Sequence, residues 1–217
     1  METQAHRKRV RTYNVPGHLH FLTFSCYRRM PLLSNETWLG WLGAAVRTAC
    51  QDFDFALWAY VFMPEHVHLL VKPRKVLYDV SKFRKSLKQS ASKRIVNHLQ
   101  KCRSALLGRL RVQERPGKEC FRFWQEGPGH DKNLWSMEKA VEKAKYCHRN
   151  PVERKLVASP EQWRWSSFRR LELGQKTNQP LLLDDWDERL SEDEDKRPLA
   201  EYGLSQWHQF CEGTSQP

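Results

Sequence analysis

The sequence predicts an α+β fold in which an antiparallel sheet carries helices packed on one face. Three observations support this. Runs of β-favouring residues, alternating or wholly apolar, occur at residues 18–27, 53–63 and 66–72. Only Pro64 and Glu65 separate the last two runs, which is typical of an antiparallel hairpin. Helical periodicity follows the first and third runs, which gives the order β-α-β-β-α-β of a ferredoxin-like or RRM-like sheet.

Two helices complete this pattern. The first is predicted over residues 36–51, where apolar residues recur on one stripe and Ser34 or Asn35 serves as the N-cap. The second is predicted over residues 80–99, where apolar residues again recur at helical spacing. Both helices therefore have one face that must be buried against the sheet.

The next part of the chain is predicted to contain one more strand and one more helix. Residues 120–125 alternate and are expected to form the fourth strand, whereas residues 127–133 have the composition of a mobile turn. A helix is predicted over residues 137–149 after a cap at Ser136. We expect it to end there because Pro151 disfavours helical backbone at the residue before it.

Charge divides the chain into parts of opposite sign. Residues 181–217 hold three Lys or Arg against ten Asp or Glu, so the rest of the chain carries a net charge of +19. A body this basic favours a polyanionic partner, with nucleic acid first and an anionic membrane second. We divide the chain into a basic arm at residues 1–15, a folded domain at residues 16–170, and an acidic C-terminal extension with helical character at residues 171–217.

The composition also indicates the cellular compartment of the protein. The chain has no apolar run long enough to span a membrane and no apolar signal region at its N-terminus. Its six cysteines are scattered without a C-x-x-C pair, which argues against a zinc ribbon and a secreted disulfide framework. These observations predict a cytoplasmic protein with reduced thiols.

Two histidines stand close together on a predicted strand. His66 and His68 are two residues apart, so their side chains project from the same face. Two neighbouring imidazoles can bind one divalent metal through one nitrogen each. An ordinary strand can also carry two histidines on its solvent face, and the pair alone does not separate these interpretations.

The predicted helix 80–99 has a basic face opposite its apolar face. A charged helix face is usually only solvated, but charge of a single sign favours contact with phosphates. Tryptophans in residues 163–168 either stack on bases or pack in the core. The candidate DNA-binding side chains are Lys82, Arg84, Lys85, Lys88, Lys93, Arg94, Trp163 and Trp165.

The helix 137–149 presents a tyrosine away from its apolar stripe. At about 100° per residue, Tyr146 projects from the side opposite the apolar residues, and Asn150 follows one turn later. A core tyrosine would lie on the stripe. An exposed tyrosine is often only a surface residue, so the meaning of this one depends on its relation to the histidines.

Together these motifs resemble those of a known family. Residues 63–71 resemble the HUH motif, His-hydrophobic-His, of the single-tyrosine HUH transposases. Residues 146–152, with the Trp-Arg-Trp-Ser-Ser stretch at 163–167, resemble the nucleophile helix and its sequel in the REP-associated tyrosine transposase branch. The resemblance covers roughly residues 16–170, so that segment is expected to be the catalytic domain.

The resemblance implies a reaction and a set of site residues. Tyr146 is expected to be the nucleophile, and His66, His68 and the amide of Asn150 are expected to ligate a divalent metal, Mg²⁺ or Mn²⁺. Attack on a phosphodiester leaves a 5′-phosphotyrosine and a free 3′-hydroxyl, so single-stranded or hairpin DNA can be cleaved and rejoined without ATP. Relatives are often dimers, and a homodimer is therefore an open expectation.

The alternative is a nucleic-acid-binding protein on an RRM-like sheet without strand-transfer activity. The basic charge fits both functions. The joint presence of His66, His68, Tyr146 and Asn150 favours the enzyme, because a protein that only binds has no need of them. Sequence does not distinguish a mobile-element transposase from one that now serves its host.

Overall fold

The computed structural model describes residues 12–175, 180–181 and 183–184. Its strands are β1 (Leu19–Ser25), β2 (Phe55–Phe62), β3 (His66–Pro73), β4 (Arg111–Arg115), β5 (Lys118–Phe121) and β6 (His130–Leu134). Four of them form one antiparallel sheet in the order β2-β3-β1-β6, and β4 pairs with β5 in a separate hairpin. This strand order confirms the predicted ferredoxin-like α+β fold.

The helices cover both faces of this sheet. They are α1 (Glu36–Phe53), α2 (Val80–Lys101), α3 (Leu106–Leu110), α4 (Met137–Glu153) and α5 (Phe168–Leu171). The two helices of the β-α-β-β-α-β unit, α1 and α2, pack on one face as predicted. The C-terminal helix α4 packs on the opposite face, where Ala140 and Ala144 meet Phe21 and Leu70.

Burial on both faces explains the composition of the central strands. Every residue of β2 and β3 is buried, and a strand covered on both sides has no solvent face to make polar. In β1 the side chains alternate between the two cores. Leu22 and Phe24 point toward α1 and α2, whereas Leu19 and Phe21 point toward α4.

The fourth strand of the sheet is not the one that the sequence predicts. Part of residues 120–125 belongs to β5, which pairs only with β4. The fourth strand is β6, most of which falls in the segment expected to be a mobile turn. The side chain of Asp131 on β6 is fully buried and accepts a hydrogen bond from His20 Nδ1 at 2.8 Å. This tertiary contact fixes a segment whose local composition suggests a turn.

The last long helix also differs from its prediction. It continues through Pro151 to Glu153 instead of ending at residue 149. Ser136 is its N-cap, as predicted, and accepts a hydrogen bond from the backbone amide of Lys139. A proline near the C-terminal end removes one backbone donor without stopping the final turn.

Most of the two terminal segments lies outside the described residues. This applies to residues 1–11 of the predicted basic arm and to most of the predicted acidic extension. The described part of that extension includes Asp184, whose carboxylate accepts a hydrogen bond from the backbone amide of Leu57 at 2.7 Å. Asp184 thereby covers the outer edge of β2. No described helix is long and apolar enough to cross a membrane.

Candidate active site

The two histidines open β3 and meet nitrogen to nitrogen. His66 and His68 are each only 5% exposed, and both point to the α4 face of the sheet. Their Nε2 atoms lie 2.9 Å apart, and their rings are nearly perpendicular at 89°. Both Nε2 atoms therefore converge on one point, as the sequence spacing predicts.

The opposite nitrogen of each histidine is held by the protein. His66 Nδ1 lies 2.9 Å from Glu65 Oε1, and His68 Nδ1 lies 2.8 Å from Thr23 Oγ1. Contacts of this kind fix ring orientation and leave Nε2 free to act as a ligand. Sequence reasoning missed both partners. Glu65 is adjacent in the chain, but Thr23 reaches His68 only through the β1–β3 register.

Burial keeps both imidazoles neutral. It lowers the pKa of His68 to about 3, and electrostatic interactions with His66, Arg154 and His130 act in the same direction. Burial also lowers the pKa of His66, against the opposing effect of the Glu65 carboxylate. A neutral imidazole has a lone pair to offer, so the protonation state suits metal ligation.

Helix α4 brings the tyrosine of the same chain to this pair. The Tyr146 side chain is 48% exposed, and its ring centroid lies 6.2 Å from that of His68. The ring of Phe21 stacks on His68 at 5.4 Å and meets Tyr146 edge-on at 6.5 Å. Lys143 Nζ lies 5.6 Å from the Tyr146 ring. The phenol therefore lies beside the histidine pair with one face open to solvent.

Asn150 lies one turn beyond Tyr146 and is 6% exposed. Its Nδ2 donates a hydrogen bond to the backbone carbonyl of Tyr146 at 3.1 Å, which turns the amide oxygen away from that carbonyl. The nitrogen is thus engaged with the helix and the oxygen is the only group it can offer to a metal. Its role as the third ligand stays a prediction.

The types of donor atom in this site are suited to a divalent metal. Two neutral imidazole nitrogens converge, and an amide oxygen is carried by the neighbouring helix. Mixed nitrogen and oxygen ligation suits Mn²⁺ at least as well as Mg²⁺. Across the part of the chain that the structure describes, there is no group of three or more His, Cys, Asp or Glu placed to hold a metal ion.

Two of the candidate DNA-binding residues are buried, which corrects the prediction for them. Arg84 is 4% exposed, with its guanidinium 3.5 Å from the buried Asp131 carboxylate. Trp165 is 7% exposed, donates from Nε1 to Glu36 at 2.8 Å, and stacks on Phe62. Trp165 is part of the core, and the Arg84 guanidinium is engaged by Asp131 although Arg84 lies along the groove beside α2.

The other candidates lie at or near the surface. Lys88 is half-buried and donates to the carbonyl of Gly127 at 3.1 Å, and the partly buried Trp163 donates to the carbonyl of Phe62 at 2.9 Å. The exposed members are Lys82, Lys85, Lys93 and Arg94. Contact of these side chains with DNA stays a prediction.

An open groove of about 480 Å³ runs beside the basic helix. Lys85 and Lys88 line its α2 side, and Trp124 and Gln125 line the other. The indole nitrogen of Trp124 donates to the carbonyl of Lys88 at 2.8 Å, which joins the two walls. The backbone amide of Gln125 donates to Ser25 at the end of β1, so the groove begins near the end of the sheet that carries the histidines.

Comparison with known proteins agrees with this fold. Residues 14–115 match the family model of IS200-like transposases. The structure of a REP-associated tyrosine transposase bound to a REP hairpin is similar, with 20% sequence identity and a TM-score of 0.58 over 76% of this chain and 86% of that one. A proposed transposase from Deinococcus radiodurans is 20% identical over 64% of this chain and 94% of that one, with a TM-score of 0.41. No curated protein matches the sequence.

The matched segment and the fold point to the same class of similar proteins. Residues 14–115, slightly less than half of the chain, resemble the IS200-like transposases. The fold is similar to that of a REP-associated tyrosine transposase, as the resemblance in the sequence implies.

Proposed function

We propose that this chain cleaves and rejoins single-stranded or hairpin DNA through a covalent bond to Tyr146. The observation that carries the proposal is the position of the Tyr146 ring, 6.2 Å from the ring of His68, whose Nε2 meets Nε2 of His66 at 2.9 Å. A nucleophile beside a potential metal site is the arrangement that phosphodiester transfer needs.

Each site residue has a separate role in the proposed reaction. His66 and His68 would hold a divalent metal through Nε2, with the oxygen of Asn150 as the candidate third ligand. The metal supplies charge stabilisation at the scissile phosphate and at the leaving oxygen. The Tyr146 oxygen attacks phosphorus, and the bond from phosphorus to the 3′-oxygen breaks. The phenol proton passes to solvent, and the leaving 3′-oxygen takes a proton from solvent. The products are a 5′-phosphotyrosine and a free 3′-hydroxyl.

Tyr146 acts in its own chain in this proposal. The contacts of its ring with Phe21 and His68 are made within one chain. Helix α4 is fastened next to these contacts, because His148 Nε2 lies 2.8 Å from Ser167 Oγ, and Ser167 bonds the backbone of Tyr60 on β2. These contacts support the use of one protomer's own residues, so the proposal does not require a homodimer for the first cleavage.

The proposed substrate follows from charge and from the likeness to a hairpin-bound protein. The similar REP-associated transposase is bound to a REP hairpin. Here the exposed cations of α2 and the groove beside them offer phosphate contacts. We propose DNA with a hairpin and an unpaired flank as the substrate, and Mn²⁺ or Mg²⁺ as the cofactor.

The proposal is tested with a 3′-labelled oligonucleotide containing a hairpin from beside the gene, incubated with Mn²⁺ or Mg²⁺. The label stays with the fragment that carries the 5′-phosphate, so a protein–DNA adduct is detected directly on a denaturing gel. We expect an adduct with the unaltered protein and none with Tyr146→Phe. Equal cleavage by Tyr146→Phe would show that Tyr146 is not the nucleophile. Binding without cleavage by the unaltered protein would favour a nucleic-acid-binding protein.

A mixing experiment tests the use of Tyr146 in its own chain. Tyr146→Phe and His66→Ala are each expected to be inactive. If each chain uses its own tyrosine, a mixture of the two variants forms no adduct. Recovery of adduct formation in the mixture would show instead that the tyrosine of one protomer serves the histidines of another.

A further inference from the structure

Two consecutive arginines follow β1 in a backbone conformation that side chains rarely adopt. Arg28 and Arg29 have φ angles of 53° and 51°, in the left-handed region that favours glycine. Hydrogen bonds to a distant part of the chain hold the turn in this conformation. The backbone amide of Tyr27 donates to Phe123, and that of Arg28 donates to the side chain of Gln125 at 3.1 Å. Strained backbone of this kind concentrates at functional sites.

Backbone hydrogen bonds connect this turn to the residue that precedes the histidine pair. The backbone amide of Cys26 donates to the carbonyl of Glu65 at 2.8 Å, and that of Arg29 donates to Cys26 at 3.0 Å. Arg29 is thereby tied, through two hydrogen bonds, to the residue that precedes His66. The Arg29 side chain is exposed, and none of the described carboxylates lies within ion-pair distance of its guanidinium.

A second arginine approaches the same site from α4. Arg154 caps the C-terminal end of that helix, and its side chain is 52% exposed. Its Nη1 lies 3.8 Å from Glu65 Oε1, which is longer than a hydrogen bond. The same carboxylate oxygen lies 2.9 Å from His66 Nδ1. Arg154 therefore shares a carboxylate that His66 already uses, and about half of its side chain is exposed.

The charges around the site do not balance. Two neutral imidazoles, one carboxylate and two guanidinium groups leave a net positive charge beside the histidines. A guanidinium is a planar donor that matches the oxygens of a phosphate, and it is always charged. An exposed guanidinium that no carboxylate fully engages is suited to an anionic group of the substrate.

We propose that Arg29 and Arg154 form a clamp for backbone phosphates of the cleaved strand, one phosphate for each guanidinium. The inference rests on the proposed function, and it adds two residues that position the strand against Tyr146 without taking part in bond breaking. The clamp is separate from the basic face of α2, which lies on the other side of the sheet. One set of cations would hold the body of the DNA, and the arginine pair would hold the strand at the point of cleavage.

Arg28 provides a matched control. It is adjacent to Arg29, has the same backbone conformation and is equally exposed. Its guanidinium lies over the ring of Tyr27, 5.1 Å from the centroid. Glutamine at either position removes one charge, keeps a long side chain and leaves the backbone requirement unchanged.

The test measures how DNA affinity depends on salt. Arg29→Gln, Arg154→Gln, their combination and Arg28→Gln are each made in the Tyr146→Phe background, so that the oligonucleotide is bound but not cleaved. Each lost phosphate contact on a single strand lowers the slope of log K against log salt by about 0.7. We expect that loss for Arg29→Gln and for Arg154→Gln, about twice that loss for the combination, and no change for Arg28→Gln.

Replacing single phosphates with a neutral linkage identifies the phosphates that the two arginines contact. Oligonucleotides with a single methylphosphonate at successive positions around the cleavage point are compared for binding. A position held by Arg29 weakens binding by the Tyr146→Phe protein and has no further effect on Arg29→Gln. Arg29→Lys in the same background is expected to recover part of the slope because the charge returns without the planar fork.

The outcomes separate this inference from the proposed function. Unchanged slopes, or an equal loss with Arg28→Gln, overturn the clamp even when the unaltered protein forms an adduct. A slope unchanged by Arg154→Gln, with slower cleavage at saturating DNA when Tyr146 is restored, shows that Arg154 acts only through Glu65 and overturns its place in the clamp. If no adduct forms but the slopes fall as expected, the clamp stands and the cleavage proposal fails.

Discussion

The two faces of the sheet present polar side chains in different ways. On the α4 face, His66 and His68 are buried, neutral and fixed by Glu65 and Thr23. On the α2 face, the cations available to a ligand stand exposed on a helix. Chemistry at phosphorus needs atoms held in place, whereas contact with a flexible polyanion needs charge at the surface. We therefore assign bond breaking to the first face and DNA retention to the second.

A buried histidine on the α2 side sharpens this comparison. His20 is as buried as the site histidines, but its Nδ1 lies 2.8 Å from Asp131 and its Nε2 lies 2.9 Å from the hydroxyl of Tyr78. Both nitrogens are used within the protein. In His66 and His68, the Nε2 atoms face each other instead. Burial alone therefore does not identify a metal-ligating histidine. What distinguishes His66 and His68 is that their Nε2 atoms point toward each other.

The largest effect is expected from His68→Ala. Loss of one converging imidazole should reduce cleavage on the order of 10³-fold, the scale of losing one stabilising group at a reacting phosphate, while DNA affinity is largely kept. Adduct formation and binding are measured on the same oligonucleotide. His98→Ala, an exposed histidine of α2 that contacts Trp41, is the control and should leave cleavage intact. An equal loss of affinity and cleavage in His68→Ala would contradict the assignment of bond breaking to the α4 face and DNA retention to the α2 face.

The next largest effect is expected on the α2 face. Replacing Lys82, Lys85, Lys93 and Arg94 with Gln together should lower the salt slope by about 2.8 and the affinity at about 0.1 M salt by roughly several hundredfold, if each contacts a phosphate. Cleavage by the saturated complex should be unchanged. Removing the same number of charges at Arg103, Arg109, Arg111 and Lys118 is the control. Slow cleavage at saturation would show that α2 also serves the chemistry.

A smaller effect is expected from the carboxylate that orients His66. Glu65→Ala should lower metal affinity and cleavage by about 10- to 100-fold, the usual cost of losing a residue that orients a metal-bound histidine. Glu65→Gln keeps an oxygen that can accept the Nδ1 hydrogen and should lose less. Calorimetric titration with Mn²⁺ measures the affinity without DNA. Equal metal affinity in all three proteins would contradict the assigned role of Glu65.

The smallest effect concerns the pH dependence of DNA binding. Burial, with a smaller effect from the charge of Arg84, lowers the pKa of Lys88 to about 8. Lys88 is therefore charged at pH 7 and loses its charge as the pH rises through about 8, so affinity should fall by about fivefold or less over that interval. Lys88→Arg should bind without this dependence. Parallel pH profiles for both proteins would exclude Lys88 as a phosphate contact.

Much of the fold was predictable because local pattern and tertiary structure agree. The alternation and apolar runs of β1, β2 and β3 and the caps at Asn35 and Ser136 are local signals, and all are confirmed. Strand β6 was missed because Gly127, Pro128 and Gly129 suggest a turn. Its strand conformation depends on pairing with β1 and on the buried Asp131, and neither is visible in a local window.

The site could likewise be predicted only where strand spacing or helical periodicity places a residue. His66 and His68 share a face by spacing alone, and the exposure of Tyr146 follows from helical periodicity. The contact of Thr23 with His68 needs a β1–β3 register that the sequence does not specify. Arg84 and Trp165 were assigned to the surface because an amphipathic pattern does not reveal a buried ion pair with Asp131 or a bond from an indole to Glu36.

Locating the covalent bond tests the central claim most directly. The protein–DNA adduct formed with Mn²⁺ is trimmed with nuclease, digested with protease and analysed by mass spectrometry. We expect a nucleotide 5′-phosphate on the peptide that contains Tyr146, and on no other peptide. A nucleotide on Tyr13, which is also exposed, or on any residue other than Tyr146, would contradict the assignment of this site.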